Sequence, residues 1–155
     1  MKTTEQWLDE YARSHCDGTN RLIHWLCIPA IVVSLVGLLW SLPVPETFRA
    51  GSPALNWGTV FLMAAVVYYF IMSISLAVGA LPFIVFVVIA VAWLDGFDTP
   101  LWVSSVALFV AGWALQFIGH WREGSRPAFF REMQFLMIGP LWLIAGIYRR
   151  LNIPY

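Results

Sequence analysis

Three histidines, His15, His24 and His120, and the polar residues around them are the part of this sequence that could do chemistry. Asn20 and His24 are spaced i, i+4. Gln116, His120 and Glu123 are spaced i, i+4, i+7. At 100° per residue those three lie within about 60° of one another on a helix. His120 and Glu123 then form an i, i+3 pair able to hold one metal ion, and Asn20 and Gln116 are placed to orient the imidazoles by hydrogen bonds. Neutral imidazole is the commonest metal ligand near neutral pH. A plainer reading stands beside this one: a histidine near a membrane boundary can snorkel to the interface or bond a neighbouring carbonyl.

The elements that must position these residues follow from composition. The chain has 155 residues, 60% of them hydrophobic and 12% charged, with nine Lys and Arg balancing nine Asp and Glu. Soluble domains carry about 25% charged residues. A disordered chain would be richer in charge and poorer in apolar residues. A nucleic-acid module would need a net basic face. One domain of this size has too little polar material to coat so apolar a core. The composition therefore predicts an all-α, polytopic membrane helix bundle.

Charge-free runs locate the helices. Residues 22–45, 50–94, 99–121 and 133–148 carry no Asp, Glu, Lys or Arg. A spanning helix needs about 20 apolar residues. The first and third runs give spans at 22–42 and 101–121. Residues 57–94 would make about 57 Å of helix, too long for one crossing. They are expected to fold back at Gly79-Ala-Leu-Pro82, where proline interrupts the helical ladder, giving spans at 57–78 and 81–97. The fourth run is short and holds Gly139-Pro140, so 135–148 reads as a re-entrant helix, or else a fifth span. At the N-terminus, Thr3 or Thr4 can cap an amphipathic helix with Trp7, Leu8 and Tyr11 on one face, expected to lie on the membrane surface. Asp17-Gly18 makes a turn, and Thr19 can cap the first span. Nothing near the N-terminus resembles a secretory signal.

Positive charge orients the bundle. Lys2, Arg13, Arg21, Arg122, Arg126 and Arg131 fall on one side and Arg49 on the other; a re-entrant 135–148 adds Arg149 and Arg150, making eight against one. The N-terminus is therefore expected in the cytoplasm, and all three histidines at the cytoplasmic membrane boundary. Ionisable groups at membrane depth are functional candidates. Arg126, beside Pro127, is a candidate partner for a carboxylate or a lipid headgroup. Cys16 and Cys27 read as plain thiols, since a disulfide is not expected on that side.

Two stretches are specific enough to compare. The first is His15-Cys-Asp-Gly-Thr-Asn20-Arg-Leu-Ile-His24-Trp-Leu-Cys-Ile-Pro29. The second is Gln116-Phe-Ile-Gly-His120-Trp-Arg-Glu123-Gly-Ser-Arg-Pro127-Ala-Phe. Together they resemble the membrane family of 2-hydroxy fatty acid dioxygenases, which includes the fungal enzyme of phytosphingosine breakdown and bacterial relatives. The resemblance implies an Fe(II) enzyme that uses O2 to shorten a 2-hydroxy fatty acid by one carbon, with C1 lost as CO2. It implies His15, His24 and His120, with Glu123, as ligands. The acyl tail of the substrate is then expected between the first and fourth spans. An imidazole and carboxylate set suits Fe(II) and also Zn. A zinc-dependent lipid hydrolase and a non-catalytic metal-binding membrane protein are thus the alternatives. A transporter fits less well, because no charged residue lies at mid-membrane. The expected partners are the 2-hydroxy acid, O2 and membrane lipid, with no nucleic acid; a homo-oligomer is left open. The expected location is a bacterial inner membrane, or the endoplasmic reticulum of a eukaryotic cell.

Overall fold

A computed structural model describes residues 2–52, 54–124 and 134–155, with the side chain of Arg49 set aside. The regular elements among the described residues are all helices: α1 (Thr4–Ala12), α2 (Gly18–Trp40), α3 (Glu46–Gly51), α4 (Trp57–Met72), α5 (Ile74–Asp95), α6 (Leu101–Glu123) and α7 (Phe135–Leu151). The all-α expectation holds. By length and composition α2, α5 and α6 can each cross a membrane; α4 is apolar but only 16 residues long. Large apolar side chains on these helices face outward, among them Leu26, Ile71, Ile89 and Val110. Such a surface is compatible with a membrane protein.

Helices α2 and α6 form the tightest pair. Gly119 lies against Asn20, Gly112 against Ile31, and Gly37 against Ser105. As the α6 number falls the α2 number rises, so the two run antiparallel. A Cβ at Gly119 or Gly37 would collide with the facing oxygen, so these glycines let the backbones close in. This register sets His24 opposite Gln116. Gly58, near the start of α4, lies against Val36 near the end of α2, so α4 also runs opposite to α2. Val36, Leu62, Val87, Val91 and Leu101 form the core at that far end.

The fold-back differs from the expected one. The chain turns at Ser73, not at Gly79–Pro82, and Pro82 lies inside α5. Ser73 is extended (φ −163°, ψ 124°), and its hydroxyl accepts the Leu76 N–H at 3.3 Å, capping α5. Pro82 is tolerated because neighbouring helices can re-satisfy the backbone groups it frees. Gly79 serves packing: a Cβ there would strike the Tyr148 ring and hydroxyl.

Two local expectations also change. Thr3 caps α1 through a capping box with Gln6, as expected, but the cap of α2 is Asp17, whose carboxylate accepts the Asn20 N–H at 2.8 Å. Thr19 lies inside the first turn. The face of α1 expected against lipid is covered by α7 instead: Leu8 and Tyr11 are buried, and Trp7 and Tyr11 pack on Phe135 with ring centroids 5.7 Å apart. Aromatic packing on a second apolar helix removes that face from water as completely as a lipid surface would. Cys16 and Cys27 are both free.

Candidate metal centre

Three segments far apart in sequence deliver the histidines to one point. His15 follows the end of α1, where its backbone N–H donates to the Ala12 carbonyl at 2.9 Å. His24 lies in the second turn of α2 and His120 in the last turn of α6. Each is at most 2% exposed. The ring centroids are 4.2 Å apart for His15 and His24, and 4.9 Å for each of these with His120. The rings stand nearly perpendicular, at 79°, 70° and 86°. One ring nitrogen from each lies within 4.8 Å of those of the other two.

The tautomers of two rings follow from their hydrogen bonds. His15 Nδ1 donates to the Tyr11 carbonyl at 2.6 Å, and His24 Nδ1 donates to the Asn20 carbonyl at 2.8 Å. Both bonds reach one turn back, to residue i−4. A proton on Nδ1 leaves the lone pair on Nε2, the arrangement in which metal-binding histidines are usually held. Tyr11 also stacks on His15, at 4.3 Å and 11°, and Trp142 lies 5.3 Å from it. Burial pushes the Tyr11 hydroxyl pKa far up, so this phenol stays protonated.

Glu123 does not belong to the histidine group. Its carboxylate accepts the backbone N–H groups of Cys16 and Asp17, the latter at 3.2 Å, and the side-chain N–H of Asn20. It thereby ties the end of α6 to the turn between α1 and α2. Asn20 reaches His24 through its backbone carbonyl, while its side chain serves Glu123. Gln116 lies beside a ring as expected, its Nε2 3.3 Å from His24 Nε2. Its Oε1 is buried with no hydrogen-bond partner among the described residues. Arg126 lies outside the described residues.

A narrow apolar cleft lies beside the histidines. It runs between α2, α6 and α7 and is lined by Tyr11 and Gln116, which adjoin the His15 and His24 rings, and by Ile31, Val32 and Leu136. A second apolar cleft shares Val32 and Leu136 with the first and is lined further on by Leu35, Phe61 and Phe83. Leu35 is eleven residues beyond His24 on α2, about 16 Å along the helix. The third wall, α7, was not expected from the sequence, nor were Tyr11 and Trp142 beside the rings. The Tyr11–His15 spacing of i, i+4 was the signal available.

The donor set fits a divalent transition metal. Three buried imidazoles, two of them fixed by carbonyls, suit iron or zinc and leave further coordination positions for other ligands. Comparison with known proteins agrees in kind. A family model described as 2-hydroxy-palmitic acid dioxygenase Mpo1-like matches residues 1–151. No curated protein and no solved structure matches the chain.

Proposed function

The chain belongs to the Mpo1-like family of 2-hydroxy-palmitic acid dioxygenases, and on that premise we propose that it is an iron-dependent 2-hydroxy fatty acid dioxygenase. The observation that carries the reading is the buried trio of imidazoles, with an apolar cleft beside it that Tyr11 and Gln116 border. The reaction balances with O2 alone: the 2-hydroxy acid and O2 give the acid one carbon shorter, CO2 and water. The C1–C2 bond breaks, C2 becomes the new carboxyl carbon, and the substrate supplies every electron that O2 takes. Bound Fe(II) would supply the one-electron chemistry toward O2, which zinc lacks.

The residues of the chain do the rest. His15, His24 and His120 would hold the ion; Nδ1 of the first two is bound to carbonyls, which leaves Nε2 as the available donor. Gln116 Oε1, a buried acceptor in need of a donor, would accept a hydrogen bond from the 2-hydroxyl of the substrate. The cleft walls strip water from the acyl chain and align it, so that C1 and C2 lie beside the histidines. Glu123 positions the His15–His24 segment. Arg126 is assigned to the substrate carboxylate, since its planar fork can hold two oxygens.

The test is to load purified protein with iron, supply 2-hydroxypalmitate or palmitate, and follow oxygen uptake and the C15 acid. The 2-hydroxy acid alone should react, and only under air. Equal turnover of both acids, or undiminished turnover with zinc in place of iron, would exclude the reaction.

A further inference from the structure

Outside the histidine centre, a second concavity lies between the start of α2 and the end of α7. It is open to the surface and is lined by Arg21, Trp25, Trp142, Gly146, Arg149 and Arg150. Three guanidinium groups converge here, and among the described residues none of the three makes an ion pair. Like charges gathered in one pocket repel unless an anion joins them. Two are already set against aromatic faces: Arg21 lies 6.0 Å from the Trp142 ring, and Arg150 lies 6.0 Å from the Trp25 ring. Topological orientation explains why arginines gather on one side of a membrane. It does not explain why three of them share one hollow with two tryptophans.

We infer that this pocket binds the phosphate of an anionic membrane lipid. Guanidinium forks match phosphate oxygens two at a time. Basic pockets between membrane helices on the cytoplasmic side are a recurring place for such headgroups. What favours a lipid over free phosphate is the flanking surface. Leu22, Leu26, Ile147 and Leu151, each next to a lining residue in sequence, are exposed apolar side chains on the same two helices. A phosphate seated among the arginines would have acyl chains lying along that surface, while Trp25 and Trp142 cover the glycerol region as tryptophans do at membrane interfaces. Gly146 keeps the hollow open: a Cβ there would already touch Trp25 at 3.7 Å, and anything larger would fill it.

The inference is independent of the reaction proposed above, and its test needs no turnover. The full chain is purified in detergent, exposed to equal amounts of phosphatidylglycerol and phosphatidylcholine, and its bound lipid read by native mass spectrometry. Preferential retention of phosphatidylglycerol is expected. The R21Q/R149Q/R150Q variant should weaken that retention about 100-fold. Gly146→Leu, which keeps every charge, should weaken it too, whereas R13Q/R122Q, which removes charge elsewhere, should not. Equal retention of the two lipids, or a full preference surviving in both pocket variants, would overturn the assignment. So would inorganic phosphate displacing the lipid at equal concentration, since that would mark a free-phosphate site.

Discussion

The carboxylate of Glu123 accepts the side-chain N–H of Asn20, so the last residue of α6 is bound to the first turn of α2. The same carboxylate receives the N–H groups of Cys16 and Asp17, the two residues after His15. Glu123 therefore ties together the segments that carry His15 and His24. Glu123→Gln should keep one bound metal per chain with about 10–100-fold weaker affinity. Its thermal stability in detergent should drop by about 1–3 kcal/mol, because donors to a charged acceptor are left poorly matched. Metal titration followed by elemental analysis checks this; complete loss of metal at saturation would make Glu123 a ligand.

Single His15→Ala, His24→Ala and His120→Ala variants should each lose metal and activity together. Each removes one of three donors, a larger loss than any hydrogen-bonded neighbour causes. Metal content per folded chain is the measurement. The triple variant should bind none, and full occupancy in it would place the ion elsewhere.

Gln116→Leu keeps volume and apolar contact but removes the buried acceptor. Metal content should stay unchanged, while kcat/KM for 2-hydroxypalmitate falls about 10–100-fold. A normal kcat/KM in a metal-replete variant would show that Gln116 takes no part in recognising the hydroxyl.

Gly79 marks a contact, not a turn. Gly79→Val should destabilise the protein by about 1–3 kcal/mol through overpacking against Tyr148. Tyr148→Ala in the same chain should recover part of that loss, because it clears the obstruction. Thermal melting in detergent reads both, and an unperturbed melting temperature in Gly79→Val would restore the turn at 79–82.

Both chain ends meet the α4–α5 junction. The Thr4 hydroxyl donates to the Met72 carbonyl at 2.6 Å, and the Ser75 hydroxyl donates to the Pro154 carbonyl at 2.9 Å. Reporter fusions at the two termini should thus report the same compartment, and the charge bias places it in the cytoplasm. A split result would mean that 135–148 crosses the bilayer.

The histidine trio was legible because charge-free runs placed His24 and His120 at the same ends of antiparallel helices, and the charge bias put His15 there too. The helix break was not. Gly-Ala-Leu-Pro is strong local punctuation, yet in an apolar bundle a proline costs little and a glycine is wanted for close approach, so Ser73 won through its cap. The hydrogen bonds of Glu123 were not legible either. Its i, i+3 spacing from His120 describes one helix face and says nothing of the three N–H donors arriving from the α1–α2 turn. The cover over α1 was hidden because Trp7, Leu8 and Tyr11 are as well suited to a protein face as to a lipid one.

That cover has a consequence for how the protein is made. Helices α2 and α6 bring their own histidines together as soon as they pair, but His15 depends on α1, and α1 is clasped by Phe135 and Trp142 of α7. Of the seven helices, α7 is synthesised last. A nascent chain halted before residue 135 could therefore insert its apolar helices while the His15 ring still lacks its support, so the trio closes only once α7 has been made. A chain shortened to before residue 135 would keep its apolar hairpins and leave the first imidazole untethered.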